Sequence, residues 1–252
     1  MMEPMIRIEG ITKRYGNRSA VSDLHLEVAR GELFGYLGPN GAGKTTTIKA
    51  LIGLIRPDEG RVFVDGRDVA AEPLEVRKII GYAPDTPFLY GKLTAREFLR
   101  FVGGLHRMEP GDMETRIDWL ADIFDMHGWM DRRTEGYSHG MKQKVVMAAA
   151  FLHRPELVIV DEPLVGLDPQ SARLVKDLLL LINRHGVTVF MSSHDLTVVE
   201  ELCRRMAIIH KGRILAEGTL DDLRKTAQVE GGNLENLFLK LTGESRAATY
   251  LE

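Results

Sequence analysis

The sequence predicts an α/β chain with a mostly parallel core sheet, an N-terminal antiparallel β subdomain and an inserted helical subdomain. Three observations predict it. The runs LVIVDEP (157–163) and VTVFMSSH (187–194) are short and continuously apolar, as parallel strands buried on both faces are. The first part of the chain carries alternating strand patterns broken by glycine turns. From about Phe88 to Leu152 the pattern is helical.

The elements follow in order. IRIEGITKRYG and LHLEVARGELFGYLG read as strands, and KTTTIKALIGLI as a helix closed by Arg56-Pro57. GRVFVDGRDV reads as a hairpin turning on Asp65-Gly66. LTAREFLRFVGGLH and METRIDWLADIFDM are helical, and a third helix opens at YSHGMKQKV, with Ser138 where a cap belongs. QSARLVKDLLLLINRHG is an amphipathic helix, LTVVEELCRR a helix and MAIIHKGRILAEG a hairpin. Glu230-Gly231-Gly232 reads as a joint before NLENLFLKLTG, where Leu234, Leu237, Phe238 and Leu241 share one helix face. That face suits packing on its own domain or a partner contact. The expected organisation is one main domain over residues 1–228, with the helical insertion at about 88–152, and a C-terminal amphipathic helix and tail over 229–252.

Composition narrows the function. The chain has 252 residues, 44% hydrophobic and 27% charged, an ordinary globular balance. A net charge of −3 argues against broad capture of nucleic acid. The single cysteine, Cys203, allows no internal disulfide, fits a reducing compartment and reads as packing. No uncharged apolar run approaches the roughly 20 residues of a spanning helix, so the chain is not expected to cross a membrane by itself, which leaves room for docking to something that does.

The chemistry begins at GPNGAGKT. Gly38, Pro39, Asn40, Gly41, Ala42, Gly43, Lys44 and Thr45, continued by Thr46, form a complete phosphate loop between a strand and a helix. Its backbone N–H groups converge on phosphate oxygens, and the helix adds its positive end. Lys44 supplies a mobile charge for the β- and γ-phosphates, and Thr45 a hydroxyl for Mg²⁺. The fold class is therefore that of the P-loop NTPases; the loop alone does not say which nucleotide it holds or for what purpose. Asp161 and Glu162 end a buried strand, where ligands sit in doubly wound sheets. Asp161 suits Mg²⁺, and Glu162 suits polarising a water for attack on the γ-phosphate. His194 ends a neighbouring strand and reads either as a loop residue or as a γ-phosphate contact. Ser138, His139 and Gly140 form a second helix N-terminus suited to an anion.

Together these pieces resemble the ATP-binding cassette family, the motor subunits of ABC transporters, over nearly the whole chain. The resemblance implies that Tyr15 stacks on adenine and that Asp168 in VGLD lies in a loop contacting a second cassette. YSHGMKQ stands at the family's signature, usually LSGGQ, so Ser138, His139, Gly140 and Met141 are expected to act in trans on the partner's ATP. Here His139 replaces a glycine and Met141 a glutamine. Asp85 in GYAPD replaces the glutamine that contacts Mg²⁺ and the attacking water. These departures and the tail resemble the bacterial antibiotic, multidrug and lipid-linked exporter subgroup. The resemblance implies ATP and Mg²⁺ as ligands, a membrane permease and a second, identical cassette as partners, no nucleic acid, and a peripheral position at the cytoplasmic face of the membrane. An importer ATPase, a soluble cassette ATPase and a regulatory nucleotide-binding subunit are the alternatives.

Overall fold

The computed structural model describes residues 3–228 and 233–243. The joint expected at Glu230-Gly231-Gly232 lies outside the described residues. In chain order the elements are β1 (Ile6–Tyr15), β2 (Arg18–Val28), β3 (Leu33–Leu37), α1 (Lys44–Leu51), β4 (Glu59–Val64), β5 (Arg67–Asp68), α2 (Pro73–Ile79) and β6 (Ile80–Ala83). Then follow α3 (Ala95–Leu105), α4 (Pro110–Ile123), α5 (His139–Leu152), β7 (Leu157–Asp161), α6 (Pro169–Arg184) and β8 (Thr188–Ser193). The chain continues through α7 (Leu196–Leu202), β9 (Arg205–His210), β10 (Arg213–Gly218), α8 (Leu220–Ala227) and α9 (Leu234–Thr242).

Two sheets form, as expected. One is antiparallel, with strand order β2-β1-β4-β5. The other runs β10-β9-β3-β8-β7-β6, parallel except at β10. The continuous apolar runs have a plain cause. Side chains alternate across a strand, and here both faces are covered. Val158 and Val160 of β7 face the core shared with the helical subdomain, while Leu157 and Ile159 face the core shared with the antiparallel sheet. Val189 and Met191 of β8 divide from Phe190 in the same way.

The helical subdomain packs on the first of these cores. Thr94 and Glu97 form a reciprocal capping box that starts α3. Leu99, Ile117, Leu120 and Phe124 then bury against Val145 and Phe151 of α5. Ser138 caps α5 as expected, accepting the Met141 N–H at 3.3 Å.

Some boundaries differ from the sequence reading. Helix α1 stops at Leu51, short of Arg56-Pro57, because the chain turns out through paired bonds from Leu54 N to Lys49 O (2.8 Å) and Gly53 N to Ala50 O (3.2 Å). Helix α7 ends at Leu202, and Cys203 is extended and buried. Burial raises its thiol well above the ordinary range, so it is an inert packing group. The apolar face of α9 packs within the chain: Leu234 and Leu237 are buried, and Phe238 and Leu241 lie against the same core. Among the described residues no helix is long and apolar enough to cross a membrane.

Candidate nucleotide-hydrolysis site

The site lies where β3, β7 and β8 end side by side. The loop after β3 leads straight into α1. Gly43, its last residue, has φ +116, and a Cβ there would sit 2.6 Å from Ala20 O. Only glycine permits both the turn and the approach of β2. The loop forms one wall of a cleft of about 400 Å³, lined also by Asp85, Asp161 and Glu162. Tyr15 stands on the same cleft, 53% exposed. Pro39, Asn40, Gly41, Thr45 and Thr46 line it as well, while Ala42 is buried behind the loop.

The charged residues meet at short range. Lys44 is buried, and its Nζ donates to Gly38 O at 2.6 Å and pairs with Glu162 Oε1 at 3.2 Å. Thr45 Oγ1 donates to Asp161 Oδ2 at 3.2 Å, although 116 positions separate the two in sequence. Asp161 is 1% exposed, and its other oxygen accepts from the Ser192 hydroxyl. Burial, aided by the charge of Asp85, pushes the Asp161 carboxyl above its usual range, against the hydrogen bonds from Ser192 and Thr45. Burial and the charges of Asp161 and Asp85 likewise push Tyr82 up.

Glu162 adopts φ +50, unusual for a side-chain-bearing residue. Its N–H donates to Ser192 O at 3.1 Å, and its Oε2 contacts His194 Nδ1 at 2.8 Å and accepts the His194 N–H at 3.2 Å. So β8 and the residue after it hold both carboxylates: Ser192 fixes Asp161, and His194 fixes Glu162. The arrangement brings a cation, a hydroxyl and two carboxylates, one backed by an imidazole, to one cleft. That combination has the charge and proton-accepting groups that phosphoanhydride binding and cleavage require.

Sequence reasoning missed Ser192, which donates to Asp161, and Arg18 and Ala20 of β2, which also line the cleft. Ser192 is two positions before His194, which was a usable signal. Arg18 and Ala20 carry none, because β2 reaches the loop only through folding. The residues from Ser138 to Met141 do not join this cleft. Ser138 and His139 are exposed at the start of α5, and Met141 packs on the core. The His139 ring lies against Gly166, where a Cβ would come within 2.6 Å of Cδ2. Asp168 caps α6, accepting Ser171 N at 3.0 Å and Ser171 Oγ at 2.6 Å, which lowers its carboxyl pKa.

The profile of the family described as ABC transporter matches residues 21–165, more than half of the chain. The chain belongs to the ABC transporter family. Daunorubicin resistance ATP-binding protein DrrA3 of Streptomyces coeruleorubidus is 36% identical over 251 residues, covering 100% of this chain and 78% of that protein. Bacitracin transport ATP-binding protein BcrA of Bacillus licheniformis is 35% identical over 255 residues, covering 100% of this chain and 79% of that one. A solved ATP-binding subunit of an ABC transporter superposes with a TM-score of 0.89 at 34% identity, over 94% of this chain and 99% of that one. A dimeric cassette in a post-hydrolysis state with ADP and Pi shares the fold, with a TM-score of 0.79 at 24% identity over 86% of this chain and 99% of that one. This ABC subunit is a nucleotide-binding ATPase.

Proposed function

We propose that this ATPase is the energy-coupling subunit of a membrane exporter, acting as a pair of identical cassettes bound to a permease at the cytoplasmic face of the membrane. The convergence of Lys44, Thr45, Asp161, Glu162 and His194 at one end of the parallel sheet carries the catalytic part of this reading.

In this reading Tyr15 stacks on adenine at the cleft mouth. The backbone of residues 38–46 receives the phosphates, and Lys44 offsets their charge. Thr45 Oγ1 and Asp161 Oδ2 are neighbouring hard oxygens, with Asp85 on the same cleft. Among the described residues no three His, Cys, Asp or Glu side chains converge as a metal cage. This donor set fits Mg²⁺, which keeps several waters and takes one or two protein oxygens. When bound, the ion neutralises charge on the β- and γ-phosphates. Glu162 accepts a proton from the attacking water, and His194, bonded to Glu162 Oε2, orients that carboxylate and reaches toward the γ-phosphate.

Ser138 and His139 are exposed at the start of α5, and residues 138–141 do not line the chain's own cleft, so Ser138, His139, Gly140 and Met141 serve a second cassette's ATP. The loop VGLD, Val165 to Asp168, makes the contact with the second cassette; Val165 is 46% exposed, and Asp168 also caps α6. The domain organisation is that of an ATPase unit over 1–228, with the helical insertion at about 88–152, followed by a C-terminal amphipathic helix and tail over 229–252.

A groove of about 360 Å³ between core and helical subdomain supports the permease contact. Leu54, Tyr82, Phe88, Phe98 and Val102 line it, and Phe88 is 71% exposed. Such a groove accepts the apolar face of a helix. Pro84 lines this groove and Asp85 the nucleotide cleft, so one backbone step joins the two. Closure around ATP therefore moves the surface offered to the permease. The antibiotic names of the relatives and the acid at position 85 favour export.

The test is a pull-down of tagged protein from detergent-solubilised membranes, with mass spectrometry of the captured chains. A stoichiometric polytopic membrane protein, lost with Phe88→Asp while ATP hydrolysis persists, is expected. Capture of soluble partners alone would overturn the transporter reading.

A further inference from the structure

A second cleft, of about 370 Å³, opens on another side of the molecule. Its walls belong to both subdomains. Trp119 comes from α4 and Phe151 from α5, while Leu181 and Ile182 come from α6 and Val187 follows it. Pro155 and Val158, on the β7 side, complete it. Asp161 and Glu162 lie at the other end of β7, so this cleft is separate from the nucleotide site.

The polar groups of the cleft are all basic. Arg116, Arg154 and His185 line it, with no carboxylate among its lining residues. Arg154 donates to Asp112 at 2.7 Å, so its charge is compensated. Arg116 makes no ion pair among the described residues; its guanidinium donates to Phe151 O at 3.2 Å and lies 3.9 Å over the Trp119 ring. Its Nε is shielded from water and has no hydrogen-bond partner. An unpaired donor of this kind is costly unless an acceptor reaches it. Burial, then the neighbouring charge of Arg154, pushes Arg116 below its usual value, as expected where an anion is missing from the balance. His185 Nδ1 donates to Leu181 O at 2.8 Å, which leaves Nε2 for another contact.

We propose that this cleft binds a small amphipathic carboxylate, its anionic head on Arg116 and its apolar body between Trp119, Phe151 and Leu181. The volume falls in the range of small-molecule sites, and the lining has their composition: an apolar interior with a few convergent polar groups. A guanidinium matches a carboxylate with two parallel hydrogen bonds. Because the walls come from both subdomains, a bound molecule also ties the helical subdomain to the core.

Trp119 is a built-in reporter for the test. The whole protein is titrated with decanoate below its micellar range, with decanol as the uncharged control. Saturable quenching by decanoate is expected, with decanol about tenfold weaker or worse, the scale of one charge-assisted contact. Arg116→Gln should weaken decanoate binding by a similar factor. Leu181→Trp, at a residue 44% exposed and therefore tolerant of change, should block it by filling the cleft. Trp119→Phe should remove the optical signal while calorimetry still detects heat. Equal binding of decanol, absence of saturation, or unchanged affinity in both Arg116→Gln and Leu181→Trp overturns the proposal. Should Arg116→Gln fail to fold, Leu181→Trp and the decanol control decide it.

Discussion

The nucleotide cleft and the groove beside the helical subdomain are of similar size, about 400 and 360 Å³, yet they are built from opposite materials. The first gathers Lys44, Asp85, Asp161 and Glu162 on a frame of strand ends. The second gathers Leu54, Tyr82, Phe88, Phe98 and Val102, with the stacked rings of His106 and His153 (centroids 3.6 Å apart) on its lining. The contrast teaches where each kind of information resides. Charge chemistry needs particular residues at fixed local spacing. An apolar groove needs only shape, and many segments supply it.

The largest effect that sharpens this contrast belongs to the phosphate loop. Lys44→Ala should lower turnover by about a thousandfold or more and abolish ATP binding. Normal ATP titration by that variant contradicts the loop's role. Next, Glu162→Gln should retain ATP binding and lose about a hundredfold or more of turnover, with an ATP-bound dimer accumulating in size-exclusion runs. Unchanged phosphate release would remove Glu162 as the base.

The third effect separates function from stability. Burial holds the Asp161 carboxyl above its usual value, so its ionised form costs folding free energy at neutral pH, and the cost is released as pH falls. Asp161→Asn should therefore abolish Mg²⁺-dependent turnover and raise Tm in chelator by about 2–4 °C, equivalent to roughly 1 kcal/mol. A lowered Tm would mean that the carboxylate stabilises the fold.

The smallest effect lies in the groove. Burial, then the charge of His106, pushes His153 from 6.5 down to about 4, and the neutral ring contacts Ile80 O at 3.1 Å. The unfolded chain binds the proton more readily than the folded one. Stability from this group is thus complete above 6.5 and lost as pH falls toward 4. Urea titrations across that window should show a decline that His153→Phe flattens; parallel declines would exclude His153 as the cause.

Much of the candidate site was legible because each part is a local string. GPNGAGKT forms a loop wherever a strand precedes it and a helix follows, since its glycines and helix end are contiguous. Asp161, Glu162 and His194 were legible as polar residues ending runs too apolar for exposed strands. Ser138 was legible as a cap before an apolar helix. The end of α1 was misread because Arg56-Pro57 is the stronger local breaker, while the turn actually uses Gly53 and carbonyls within the helix.

The sequence by itself determined the two sheets, the helical insertion, the phosphate loop and the acids, because periodicity and short motifs act within a few residues. Only the tertiary structure decided what meets what. It brought Thr45 to Asp161 and Lys44 to Glu162, and laid β2 over the loop through Ala20. It turned the α9 stripe inward and set Arg116 against the Phe151 carbonyl. The physical reason is common to all five: these contacts join segments far apart in the chain, and only packing both faces of the central sheet fixes their distances.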